Sequence, residues 1–405
     1  MDRFFGSGLS VRCLRIVFLV TVCTPLAVEA QVPAVVFSSG PEHAVLFVID
    51  GLSYKVWDRL RIPTLRRLAR EGALVERDYL PPPADPRTGA YAELHSCSIP
   101  NPILMSGTVF ITKETGYIRQ CFPTSEATAF VANTTAYTSI AAGYEYSYQQ
   151  EGADDESVRS ALAFMRTGRP RFMRVHLQNP GSAGFECMTT KKDVDWRSDI
   201  WAADSPYRIA TERADSLLEV FLEGLNKLGV LEKTVIIVLG DHGQDDGGWH
   251  PLQSPDAAIT TMVLWGAGIK GNIRVPYAEH IDIVPTICAL MGVEPPKTSQ
   301  GRVIAETLAR FNGAVEPRAY RIKELNGQLF EYQKSLAEIL YALGQLPSPK
   351  QGSFHYRLDA IRQNFYDIYR FTEWPRLRTL DNLLTNNQTE LEELRELLKE
   401  VRGAR

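Results

Sequence analysis

VIIVLGDHGQDDGGWHP, residues 235–251, is the stretch that decides the fold. Val235 to Leu239 are five apolar residues, mostly β-branched, with no polar alternation, which describes a strand covered on both faces as in a parallel sheet. Gly240 ends the strand and Asp241-His242-Gly243 turns the chain. A neighbouring carboxylate and imidazole can face one cation, and a glycine after them lets the backbone bend sharply beneath. Upstream, VLFVIDGL at 45–52 repeats the design: a buried apolar run stopped by Asp50-Gly51. Ligands in open parallel sheets collect at the carboxyl ends of strands, where both acids fall. Asp-Gly alone is an ordinary turn, whereas Asp-His-Gly after such a strand is more specific. His250, a short glycine-rich loop further on, is either another ligand or a hydrogen-bonding loop histidine.

Outward from these strands, short apolar runs alternate with helical patterns. PTLRRLARE at 63–71 predicts a helix closed by Gly72, and Phe172 to Leu177 predicts another strand. Leu217, Leu218, Phe221, Leu222 and Leu225 predict a helix between Tyr207 and Leu228, and Met262 to Trp265 and Asp282 to Thr286 complete the alternation. The expected fold is α/β, a mostly parallel sheet with helices on both faces, over residues 31–310. Beyond it, 311–405 turns to polar helices at Phe354 to Trp374 and Leu380 to Val401, a helical C-terminal extension. At the other end, Arg12 and Arg15 precede the apolar run Ile16 to Val28 and a small-residue cleavage pattern at Ala30, so 1–30 reads as a secretory signal peptide. No later run is long enough for a transmembrane span, and a secreted, periplasmic or luminal location follows.

Among 405 residues, 44 basic and 48 acidic side chains give a net charge of -4, which excludes a broad cationic surface for nucleic acid. Four of the six cysteines lie beyond the leader, and Cys97 with Cys121 is the candidate bridge. Asn133 and Asn387 open glycosylation sequons. Trp201 and Tyr207 are candidate pocket walls or core. Asp245-Asp246 reads as a solvated turn ahead of a cation site.

Taken in order, VLFVIDGL, SIPNPILMSGT at 98–108, the 235–251 segment, TTMVLWGAGIK at 260–270 and HIDIVPTICALMGVEPP at 280–296 resemble the alkaline phosphatase superfamily. The branch is that of type I phosphodiesterases, nucleotide pyrophosphatases and sulfatase-like hydrolases, and the likeness covers roughly 44–302. The stretch from DHG to WGAGIK is also similar to the luminal domain of glycosylphosphatidylinositol ethanolamine-phosphate transferases. The resemblance implies in-line displacement at phosphorus, or sometimes sulfur, by a metal-activated Ser or Thr hydroxyl, through a covalent intermediate. Ser98 matches the nucleophile, with Ser96 in reserve, and Asn101 would offer its amide to a phosphoryl oxygen. Asp50, Ser98, Asp241 and His242 match one metal site. The second site needs Asp and His where this chain has Gly181 and Phe185, leaving only His250.

Three outcomes are open. The favoured one is a single-metal enzyme in which His176 or His250 protonates the leaving oxygen. A second metal held by displaced ligands among His176, Gln178, Asn179 and Glu186 is another, and a catalytically inactive metal-binding protein is the third. Pro102 stands where a sulfatase signature has arginine, which sets sulfatase activity below phosphoester hydrolysis. The implied cofactor is a divalent metal ion, zinc first, with manganese, magnesium or calcium as alternatives. The implied substrate is a small-molecule or lipid-linked phosphoester, and a phosphoethanolamine transferase is the rival enzyme.

Overall fold

The computed structural model describes residues 40–80, 94–97, 116–138, 140–251, 254, 256–296, 299, 301–311, 317–365 and 377–404. Ser98 and Asn101, the expected nucleophile and its amide partner, lie outside the described residues, as does the leader.

One nine-stranded sheet organises the chain. Its strands are β1 (His43–Ile49), β2 (Ala73–Tyr79), β3 (Thr128–Ala132), β4 (Tyr146–Gln149), β5 (Phe172–Leu177), β6 (Thr234–Leu239), β7 (Ile259–Gly266), β8 (Ile273–Val275) and β9 (Ala278–Glu279). The order is β4-β3-β5-β1-β6-β7-β2-β8, with β9 paired to β2. Every pairing is parallel except those of β7, which runs antiparallel to β6 and β2. β1 is flanked by β5 and β6, so Asp50, His176 and Asp241 all emerge at the same edge of the sheet.

The period of two along β1 sorts its side chains between two cores. Ala44, Leu46 and Val48 join one, with the helix Ile283–Met291; Val45, Phe47 and Ile49 join the other, with the helices Pro63–Glu71, Asp154–Gly168 and Pro206–Lys227. This two-sided burial is why β1, from Ala44 to Ile49, and β6, from Val235 to Leu239, read as unbroken apolar runs. The helix at 63–71 matches its sequence pattern, whereas the apolar run after Asp282 opens a helix. Three C-terminal helices, Pro317–Gly344, Ser348–Asn364 and Leu377–Gly403, build a third core from Ile339, Leu343, Leu358, Leu394 and Leu397 among others. No described helix is long and apolar enough to cross a membrane.

Both sequon asparagines have buried side chains, Asn133 at 2% and Asn387 at 0% exposure, so the folded chain presents neither to a glycan. Cys97 and Cys121, read as a candidate bridge, are free thiols.

Candidate metal centre

Asp50 and Asp241 end adjacent strands and are 3% and 0% exposed. The Gly51 N–H donates to Asp241 Oδ1 at 3.0 Å and the His242 N–H at 3.1 Å, which fixes that carboxylate and leaves its other oxygen free of this work. Asp241 Oδ2 is buried and accepts no hydrogen bond among the described residues. Burial pushes this carboxyl up, but His242, His176, the Gly51 N–H and Arg174 outweigh it and hold the group below its ordinary value. A buried carboxylate oxygen without a partner is costly unless a cation supplies one.

His242 supplies the complementary donor. Its Nδ1 lies 2.8 Å from the Gly243 carbonyl, which can only accept, so the proton sits on Nδ1 and Nε2 carries a lone pair. That Nε2 is 3.8 Å from Asp50 Oδ1 and 3.6 Å from Asp241 Oδ2. These separations exceed a hydrogen bond and would let His242 Nε2 share an ion with either carboxylate at about 2.0–2.2 Å from each atom. Three of the candidate ligands, Asp50, Asp241 and His242, are thus brought together. His250 sets its ring tilted against those of His242 and Trp249, centroids 4.1 Å and 3.9 Å apart, beside this group.

His176 is also close, its ligand atom within 4.8 Å of those of Asp50 and Asp241. Its chemistry argues for a different role. The Arg174 guanidinium, which can only donate, reaches His176 Nδ1 at 3.1 Å, so the imidazole proton sits on Nε2, facing Asp50 Oδ2 at 3.2 Å. Burial pushes this imidazole down to about 3, Asp241 opposing and Arg174 adding to the shift, which makes it a neutral donor. His176 therefore orients Asp50, as outer partners of metal ligands do. Tyr137 assists: its hydroxyl lies 3.4 Å from Asp50 Oδ2, 3.2 Å from His176 Nε2 and 3.1 Å from Gln178 Oε1.

The half-site of Gly181 and Phe185 is closed by packing. A Cβ on Gly181 would lie 1.7 Å from Asp50 Oδ1, and one on Gly184 would lie 1.6 Å from Gln244 Nε2. Phe185 packs on Trp249, ring centres 4.5 Å apart. The described residues there do not fit a second ion: glycine and phenylalanine offer no donor and Asp50 fills the space where another carboxylate would start. Gln178 and Asn179 are engaged with Tyr137 and Asn133.

Several supports were not legible in the sequence. His280, fully buried, donates from Nε2 to the Asp241 carbonyl at 2.9 Å while its Nδ1 lies 2.8 Å from Asp78 Oδ2. It heads the HIDIVPT segment, and that motif was its only signal. Tyr207 is fully buried, donating to the Gly51 carbonyl at 2.8 Å and accepting from the Ser53 N–H at 3.1 Å, so it braces the turn under Asp50 from within the core. Asp246 receives Lys55 and the Trp201 indole, both at 2.8 Å, and Asp245 accepts from Ser254 and Gly247, so this acidic pair is spent within the loop.

A mostly parallel sheet whose central strands end in paired carboxylates beside an imidazole nitrogen makes a candidate site for a cation. The sulfatase family model matches residues 107–293. "Arylsulfatase K" of Mus musculus is 26% identical over 120 residues, 28% of this chain and 21% of that protein. "GPI ethanolamine phosphate transferase 2" of Candida albicans is 30% identical over 155 residues, 35% of this chain and 16% of that protein. Among solved structures, a 2-O GAG sulfatase superposes with a TM-score of 0.56 at 15% identity, covering 68% of this chain and 76% of the other. A sulfatase-family segment thus lies within a chain whose fold is that of the alkaline phosphatase superfamily, and its sequence is similar over short stretches to sulfatases and to phosphoethanolamine transferases. It spans about a fifth or less of the length of the curated relatives it matches.

Proposed function

We propose that this chain is an extracytoplasmic hydrolase of phosphoric esters, small-molecule or lipid-linked, working with one divalent ion through a Ser98 adduct. The observation that carries the reading is the buried Asp241 Oδ2, which accepts no hydrogen bond among the described residues and lies 3.6 Å from His242 Nε2 beside Asp50. A divalent ion held by Asp50, Asp241 and His242 would lower the pKa of a serine hydroxyl and offset the charge of an anionic ester. Zinc suits this mixed oxygen and nitrogen set best, with manganese, magnesium or calcium as alternatives. The chain's own residues do the rest. His176 and Tyr137 hold Asp50 in place, and the Gly51 N–H holds Asp241. Asn101 donates to a non-bridging oxygen, and His250 protonates the leaving oxygen. His176 is the weaker candidate for that proton transfer, because its Nε2 proton is directed at Asp50.

Two rivals have specific support. The likeness to a GPI ethanolamine phosphate transferase favours transfer of the same adduct to an alcohol. The sulfatase family model and the arylsulfatase relative favour sulfuric esters. The test is turnover of aryl phosphate monoesters, diesters and sulfates with each metal added, beside Ser98→Ala. Metal-dependent phosphoester hydrolysis lost in the variant is the expected result. Turnover of sulfates alone moves the assignment to the sulfatases, product formed only with an added alcohol moves it to the transferases, and silence from folded protein leaves a metal-binding pseudoenzyme.

A further inference from the structure

The helix Asn179–Thr189 buries Pro180, Gly181, Gly184 and Cys187, a stripe at helical spacing. Phe185 and Met188 share a neighbouring face of the helix and stay 42% and 39% exposed. Single apolar side chains on a surface need no explanation. Phe185 does, because of what lies behind it. Its ring centre is 4.5 Å from that of Trp249, Trp249 is 3.9 Å from His250, and His250 is 4.1 Å from His242. The rings thus run in unbroken contact from solvent to a candidate metal ligand that is 1% exposed. The loop that carries two of them is rigid. The Asp245 N–H donates to the Trp249 carbonyl at 2.7 Å, the Gly248 N–H to the Asp245 carbonyl at 2.9 Å, and the Ile200 N–H to the Asp246 carbonyl at 3.0 Å. A Cβ on Gly248, whose φ is +106°, would lie 2.3 Å from the Gly184 carbonyl oxygen, so the loop is pressed against the helix. Rings already fixed in this way lose little freedom when a ligand covers them.

We propose that Phe185, Met188 and Trp249 form the wall against which the leaving group of the ester lies, and that this wall selects an aromatic or apolar leaving group. The inference rests on the reading of His250 as the residue that faces the leaving oxygen. Whatever that oxygen carries then lies beside the rings of Trp249 and, beyond it, Phe185. Phe185 offers no hydrogen bond and Met188 only a weak acceptor. A hydroxyl-rich leaving group would shed water there without replacement, whereas an apolar one gains by leaving water. An aromatic group gains further from ring-to-ring contact. Phe185 thereby acts on specificity at the mouth of the site, while the ion and its ligands act on the charged headgroup that every such ester shares.

The test is isothermal titration calorimetry on the full chain saturated with zinc, using four non-hydrolysable anions: phenylphosphonate, methylphosphonate, benzenesulfonate and methanesulfonate. Whichever headgroup binds, its phenyl member is expected to bind about tenfold or more tightly than its methyl member. Phe185→Ala should cut that preference by about threefold or more and leave the methyl member's affinity unchanged. Phe185→Tyr, which keeps the ring, should retain the preference. A ring that served only to pack the loop would shift the affinities of both members alike and leave their ratio intact. The exposure of Phe185 makes loss of folding in these variants a minor risk, and circular dichroism checks it. Equal affinity for phenyl and methyl members, a preference indifferent to Phe185→Ala, or no binding of any of the four anions overturns the proposal. Binding of the sulfonates in place of the phosphonates, with the phenyl preference intact, supports it and overturns only the phosphoester reading.

Discussion

At the scale of single residues, the centre depends on which nitrogen of each histidine carries its proton. Gly243 leaves His242 Nε2 bare, and Arg174 obliges His176 to present a proton to Asp50. Replacing a partner that orients a metal ligand typically costs 10–100-fold in metal affinity, so His176→Ala is expected to weaken metal binding by about that much. His242→Ala, which removes the lone pair itself, should abolish stoichiometric binding; titration with zinc and a competing chelator separates the two. Equal losses in both variants would make His176 a ligand as well. A second residue-scale expectation concerns Asp154, which is 3% exposed and accepts from Asn133 at 2.9 Å and from the Asn179 N–H at 3.2 Å. Burial pushes this carboxyl up to about 6 despite those bonds. The folded state therefore binds a proton more tightly than the unfolded chain. Its contribution is fully present below the unfolded value of about 4 and is lost as pH rises towards about 6. Asp154→Asn keeps an oxygen acceptor and removes the charge, so it is expected to stabilise the protein at pH 7.5 by about 1–3 kcal/mol, with the gain vanishing near pH 4. Urea midpoints at several pH values check this, and a pH-independent difference would contradict the raised carboxyl.

At the scale of elements, what the sequence disclosed follows from how each element is stabilised. β6 and β1 were legible because burial on both faces leaves no polar residue to confuse the reading, and the helix at 63–71 because an apolar stripe, a proline start and a glycine stop agree. Asp50, Asp241 and His242 were legible as strand-end residues. Tyr137 and His280 were not, since each acts through a partner distant in sequence, His176 for the first and Asp241 for the second; Arg174, two residues from His176 on the same strand, was not because a buried strand gives no sign of which ring nitrogen it meets. The apolar segment after Asp282 shows the limit of short runs, because such a run forms a buried helix as readily as a strand. The turn joining β6 to the metal centre is tightly constrained. A Cβ on Gly243 would lie 2.0 Å from the Asp256 carbonyl oxygen and 2.1 Å from that of Ile259, both backbone atoms that cannot swing aside. Gly243→Ala is therefore expected to cost about 1–3 kcal/mol of stability and to displace His242, whose Nδ1 partner is the carbonyl of residue 243. Denaturant midpoints and metal titration of the same variant check both effects. Unchanged metal affinity alongside lost stability would separate the turn's packing from its role in aiming His242.

At the scale of the whole molecule, the apolar interior divides in a way that bears on where function resides. The two sheet cores draw on residues from Ala44 to Leu308, while the third draws only on residues from Ile339 to Val401. The helices Pro317–Gly344 and Leu377–Gly403 are further linked by Arg395 to Glu331 and Arg402 to Glu338 across exposed faces, pairs that contribute little in water. Their association rests on Leu343, Leu394, Leu397 and Val401, and none of these belongs to a cluster that supports Asp50, Asp241 or His242. Groups that share no partners add independently, to within about 0.3–0.5 kcal/mol, or about twofold in a rate or binding constant. A chain ending at Phe311 is accordingly expected to keep its metal affinity and ester turnover within about twofold of the full chain. The measurement is metal titration and steady-state kinetics on both chains, with circular dichroism to establish that the shorter one is folded. A folded short chain with intact metal affinity and a large loss in kcat/KM would instead assign the C-terminal helices to substrate recognition. Loss of metal affinity as well would mean that they support the sheet edge at which Asp50 and Asp241 emerge.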